Sequence, residues 1–192
     1  MAAKKYADDY ENVIMTDEKG QERKKAVYKG EYYEVALDAR QIKTFRNQSL
    51  ALAIAILILH VVGGFIGNLG MYEFYVSLPY VFAFLPLYFI FSGALRIPKE
   101  QRKYHRDEIG LSYNHMKNAG TALLILLLIA VVGEGVFILL SEQTLEGGME
   151  YIFLSLEGVA AGLAFLFFRL QKRVTPVKGS SVEENSLPSI RE

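Results

Sequence analysis

Apolar residues in this chain come in four nearly unbroken blocks instead of alternating with polar ones. Ser49 to Leu69, Phe74 to Leu95, Ala119 to Leu140 and Tyr151 to Phe168 together hold 83 residues and only two formal charges, Glu134 and Glu157. A helix rising about 1.5 Å per residue needs about 20 such residues to cross roughly 30 Å of hydrocarbon, whereas a soluble core helix does not. The pattern predicts an all-α, polytopic membrane protein. Its membrane domain spans 49–170, with four transmembrane helices over 49–69, 74–95, 119–140 and 151–168 in a compact bundle.

Between the blocks the chain is strongly polar. The 192 residues carry 21 Lys and Arg against 21 Asp and Glu, and the formal charge is zero. The basic residues are all on one side of the spans: 10 precede the first span, six lie in the loop 96–118 and five follow the fourth. The two short links, Asn68 to Glu73 and Ser141 to Glu150, have no Lys or Arg and hold Glu73, Glu142, Glu146 and Glu150. Basic residues near membrane ends stay cytoplasmic, so both termini and the middle loop are expected inside, in a plasma (cytoplasmic) membrane. A charged stretch of 48 residues before the first span does not read as a cleavable leader, so that span is expected to act as a signal anchor.

The cytoplasmic pieces are expected to carry little structure. Residues 1–48 form an N-terminal segment, expected to be mobile or partner-dependent up to about Gly30, with a turn at Lys29-Gly30. From about residue 31 the spacing of Tyr32, Val35, Ala39 and Ile42 predicts an amphipathic juxtamembrane helix. In the loop, Pro98 suits the first position of a short helix and Gly110 its end. Lys99, Arg102, Lys103 and Arg106 crowd together there, either as a patch for anionic lipid headgroups or as plain topology signals. Residues 171–192 read as a flexible, solvated tail.

Inside the spans, Pro79, Pro86 and Gly93 repeat every seven residues on one face of the second, where a bend and an inward orientation are expected. Gly63 and Gly67 in the first span, and Gly158 and Gly162 in the fourth, are glycine pairs at the spacing that lets membrane helices pack closely. Val61-Val62-Gly63 and Val131-Val132-Gly133 are a faint internal echo 70 residues apart. Glu134 and Glu157 each lie six residues from the acidic-side boundary of their apolar block, at equal counted depth, and His60 lies slightly deeper. Buried acids are costly in hydrocarbon, so the three are expected to turn inward as a polar cluster that shares protons. That cluster is either a structural clasp or an ion-coupling site.

Composition excludes a soluble globular enzyme, a nucleic-acid-binding domain and, with no cysteine, a disulfide scaffold. There is no phosphate-binding loop, H-E-x-x-H, nucleophile elbow or metal-ligand spacing; His105 and His115 stand ten apart without a third ligand. No enzyme activity, metal or cofactor is expected. The favoured reading is an accessory or interaction subunit of a membrane assembly. Its partners would be membrane lipids and another membrane protein or a second copy, not nucleic acid. The other readings are a proton-linked small transporter or channel protomer working as an oligomer, and, supported only by the basic loop, an enzyme acting on lipid.

Overall fold

The computed structural model describes residues 6–16, 22–98, 103–141 and 148–179. It is mostly helical, with four helices long and apolar enough to cross a membrane. These are α1 (Ala39–Gly64), α2 (Phe74–Leu95), α3 (Arg106–Leu140) and α4 (Met149–Lys172). Five short strands accompany them: β1 (Tyr10–Thr16), β2 (Glu22–Tyr28), β3 (Tyr32–Val35), β4 (Tyr104–His105) and β5 (Pro176–Lys178).

Local signals set where α1 starts. The Asp38 carboxylate accepts from the Gln41 N–H at 2.7 Å, and the Gln41 side chain accepts from the Asp38 N–H at 3.0 Å. This reciprocal capping box satisfies two backbone donors and contributes about 1 kcal/mol. The helix then runs without a break into the apolar block and stops at Gly64, five residues before the block ends. On α4, Gly148 precedes the first turn at φ 66°, a left-handed conformation that glycine adopts without penalty.

The four helices meet along α1–α2, α1–α4, α2–α3 and α3–α4. Small and branched side chains such as Ala53, Ile56, Ala83, Ile90, Leu127, Ala160 and Ala164 fill the interior. Large apolar residues including Ile58, Val81, Leu85, Ile125, Val132 and Leu166 face outward. Such an apolar exterior is what hydrocarbon requires of a spanning helix and what water disfavours.

On α2, Pro79, Pro86 and Gly93 are all buried, so the face they share points inward. Pro79 cannot donate to the carbonyl of Tyr75, and Gly133 of α3 packs on that oxygen: a Cβ at Gly133 would come within 3.0 Å of it. Gly93 lies where α2 passes a π-helical turn, Gly110–Asn114, in α3, so close that a Cβ there would meet Met116 and, at 3.0 Å, the Ser112 carbonyl. Gly110 therefore lies within a continuous helix; of the short helix expected from Pro98 to Gly110, residues 99–102 lie outside the described residues, Tyr104 and His105 form β4, and α3 starts at Arg106, where the Glu108 carboxylate accepts from the His105 N–H at 3.0 Å.

The glycine pairs require correction. Gly63 is buried, but Gly67, Gly158 and Gly162 are exposed, and a Cβ at any of those three would meet nothing within 4 Å. Other glycines, outside the two pairs, are places of close approach within this chain, among them Gly64, Gly70, Gly93, Gly120 and Gly133, the last two against Phe167 and Tyr75. Spacing alone did not say which face of α4 turns inward. That face includes Glu150, Phe153, Glu157, Ala160, Ala161 and Ala164, with Glu157 and Ala161 each one residue before Gly158 and Gly162.

The basic end departs most from expectation. The segment read as mobile contains the β1–β2 hairpin, with Tyr10 opposite Tyr28 and Thr16 opposite Glu22. Tyr32 and Val35 belong to a strand and not to an amphipathic helix. Strand β3 pairs antiparallel with β4 on one side and β5 on the other. One three-stranded sheet thus joins the segment before α1, the loop before α3 and the segment after α4, including residues assigned to the tail. Tyr10, Tyr28, Tyr32 and His105 pack as an aromatic cluster, with Tyr28 stacked on His105 at 4.0 Å. Burial and a hydrogen bond to Asp107 push the Tyr10 hydroxyl up to about 12. The Lys178 ammonium, bonded to Glu31, holds that carboxyl below the usual range. This exposed tie between β5 and the entry to β3 is therefore complete at neutral pH and is lost as pH falls through the carboxylate range.

Candidate functional site

The polar groups within the spans separate into two layers. Residues read as one cluster, Glu134, Glu157 and His60, are divided between them.

The inner layer joins three helices. His60 of α1 and Glu157 of α4 are fully buried, and Tyr80 of α2 nearly so. His60 Nδ1 lies 3.0 Å from each Glu157 carboxyl oxygen, and Nε2 lies 3.0 Å from the Tyr80 carbonyl. The Tyr80 hydroxyl donates to the His60 carbonyl at 2.5 Å, so these two residues bond reciprocally across α1 and α2. The imidazole also contacts the rings of Tyr80 and Phe84, at 4.1 and 4.7 Å between centroids.

This geometry fixes a proton inventory. A carbonyl oxygen cannot donate, so Nε2 carries a hydrogen. One further proton lies on the Nδ1–carboxyl line, as imidazolium beside carboxylate or as neutral imidazole beside carboxylic acid. Both descriptions are net neutral, which is how an acid and a base can share hydrocarbon at tolerable cost. Glycines make the room: a Cβ at Gly63 would press on Glu157 at 3.0 Å, and one at Gly64 would collide with the Tyr80 hydroxyl. Gly64→Ala is accordingly expected to cost about 1 to 2 kcal/mol, and Gly67→Ala, in open space, nearly nothing. Thermal melting of the two variants in detergent checks the contrast.

The outer layer lies toward the acidic end. Glu134 of α3 is fully buried beside the 3₁₀ turn Gly70–Tyr72, where a Cβ on Gly70 would collide with its carboxyl group. Its electrostatic neighbours are the Asn68 amide and Glu150, from the α1–α2 link and the first turn of α4. Asn68 and Glu150 read as link residues in the sequence, yet both are buried. Between the layers Val76, Phe153 and Tyr80 form a small apolar cluster with Met71 against it. Glu134 and Glu157 therefore have different partners. Counting from the apolar blocks made them level, but α4 begins at Met149, so Glu157 lies eight residues from its helix end and Glu134 six.

At the basic end, Gln171 of α4 donates to Ser49 of α1 at 3.2 Å, both buried, so polar contacts bracket the α1–α4 interface. Lys99 and Arg102 of the proposed headgroup patch lie outside the described residues. Its other members face acids: Lys103 is 4.0 Å from Glu34, and Arg106 is 3.7 Å from Asp9. Among the described residues, no group of three or more His, Cys, Asp or Glu is arranged to hold a metal. Compared with known protein families, curated proteins and solved structures, the chain matches none.

Proposed function

We propose that this chain is a small accessory or interaction subunit of a membrane assembly. In this reading its four helices form a compact bundle in the plasma (cytoplasmic) membrane with both termini inside. The observation that carries it is the basic-end sheet. Three segments far apart in sequence are tied into one platform, with a two-stranded hairpin beside it, and apolar Ile14 and Val177 stand exposed on these strands. A built platform with exposed apolar residues suits protein contact. The inner polar layer suits a clasp, because every polar atom of the His60–Glu157 contact has a partner. Two grooves, about 420 Å³ between α2 and α3 and about 550 Å³ between α1 and α4, are each lined by two helices on the flank. A conduit would need a path lined by more.

The test is photo-crosslinking from Ile14 and Val177 in cells, followed by purification in mild detergent. A discrete, stoichiometric membrane-protein adduct from these positions is expected. Adducts only between copies of this chain would move the weight to the second reading, an oligomeric proton-linked transporter or channel protomer, which the shared proton of His60 and Glu157 favours.

The inside placement rests on the one-sided distribution of all 21 basic residues. Tyr72, 87% exposed on the acidic-side link, is the position to label from outside; Asn68, at 3%, is too buried to serve. In this cysteine-free chain, an impermeant thiol reagent on intact cells is expected to label Tyr72→Cys and not Lys103→Cys. The opposite pattern would invert the orientation.

A further inference from the structure

The outer layer contains a concentration of unsatisfied polar atoms. Both carboxyl oxygens of Glu134, one of Glu150 and the side-chain nitrogen of Asn68 are buried and, among the described residues, have no hydrogen-bond partner of ordinary geometry. Glu134 is 0% exposed, Glu150 2% and Asn68 3%. Three different elements deliver these groups to one place: the α1–α2 link, α3 and the first turn of α4. Native proteins rarely leave even one such group unpaired; the Asn68 amide faces the Glu134 carboxyl and can satisfy one of its oxygens, and the carboxyl oxygens left over call for a bound species.

Charge identifies that species. Two carboxyls are enclosed here, and among the described residues the groups around them bring no compensating cation. Asn68 and Glu150 face Glu134, Tyr75 of α2 lies within electrostatic reach of it, and Glu73 is the next acid along. The deeper imidazole of His60 is committed to Glu157. Neither link on this side contains any Lys or Arg, so the chain has no basic side chain there to supply. The Asn68 oxygen is already used, accepting from the Met71 N–H at 2.9 Å, which leaves its amide hydrogens for a carboxyl oxygen. Gly70 closes the space above Glu134 without a side chain.

We infer that Glu134, Glu150 and Asn68 form a binding site for one small monovalent cation, a proton or Na⁺, taken up from the acidic side of the membrane. Glu134 is its principal ligand, Glu150 adds attraction and Asn68 orients the carboxyl. Binding neutralises one of two charges that the low-polarity surroundings would otherwise have to hold. The site does not depend on the accessory-subunit reading, since it needs no partner protein.

The test uses the full chain in detergent, melted across mildly acid to mildly alkaline pH in choline chloride, then with NaCl replacing choline at equal ionic strength. One linked proton changes the unfolding constant by up to about tenfold per pH unit. Wild type is expected to lose stability as pH rises, and Glu134→Gln, a neutral isostere, to lack that component. Restoration of wild type by NaCl but not choline, absent in Glu134→Gln, would assign the site to Na⁺. No restoration would assign it to the proton. Glu150→Gln, which keeps Glu134, is expected to weaken the dependence several-fold. Infrared difference spectra of wild type give a second measurement, because exposed carboxyls titrate below this range. A carboxyl band should respond to alkalinisation or to Na⁺. If neither Gln variant alters the pH and Na⁺ dependence, or if no carboxyl band in wild type responds to either cation, the inference is overturned.

Discussion

Glu157→Leu is expected to cost about 3 kcal/mol of stability, and Glu157→Gln less than about 1. Leucine matches the carboxylate roughly in volume but leaves the fully buried His60 Nδ1 without a partner. Glutamine can present its amide hydrogens to Nδ1 of a neutral imidazole whose Nε2–H still donates to Tyr80. It thereby reproduces the carboxylic-acid form of the pair and gives up only the option of moving the proton. The two variants would be compared by equilibrium unfolding in mixed micelles. Similar large losses for both would mean that ionisation of Glu157 holds the fold, and that the clasp is an obligatory ion pair.

Gly133→Leu is expected to be comparably damaging, costing about 2 to 3 kcal/mol or preventing assembly of the helices, while Gly158→Leu leaves the isolated chain unchanged. The first would drive a four-carbon side chain onto the Tyr75 carbonyl, at the place where Pro79 interrupts α2. The second would project into open space. Melting in detergent separates them directly. A large loss from Gly158→Leu in purified monomer would show that the inward face of α4 has been misassigned. Loss only when a partner is present would assign that face to an interface.

The spans were legible because hydrocarbon thickness imposes a run of apolar residues that few soluble folds need. His60 and Glu157 were legible for a related reason: a polar group inside such a run stands out. Their pairing was not, because depth was counted from the ends of the apolar blocks. Helix α1 stops at Gly64, and the rest of its block folds back as the link that buries Asn68 and covers Glu134. Glu150 escaped notice for the same reason, as an acid at a boundary taken for solvent.

The strands were hidden differently. Tyr32 and Val35 satisfy a helical spacing, and a four-residue strand offers too few positions to show alternation. Its partners lie about 70 and 140 residues away, so only tertiary structure reveals the pairing. One local signal was readable: Asp38 with Gln41 three residues later marks a helix start, which the apolar stripe from Tyr32 overrode. Among the glycines, identity and spacing gave candidates, but only the packing distinguishes Gly133 against a carbonyl from Gly158 in open space.

The most direct measurement is a pair of double-mutant cycles by equilibrium unfolding, one for His60→Leu with Glu157→Leu and one for Glu134→Leu with Glu157→Leu. Residues in contact couple by about 0.5 to 3 kcal/mol, and separated residues add to within about 0.5. The two-layer arrangement predicts coupling of at least about 1 kcal/mol between His60 and Glu157, and simple additivity between Glu134 and Glu157. Strong coupling between the two glutamates, with none between His60 and Glu157, would contradict it.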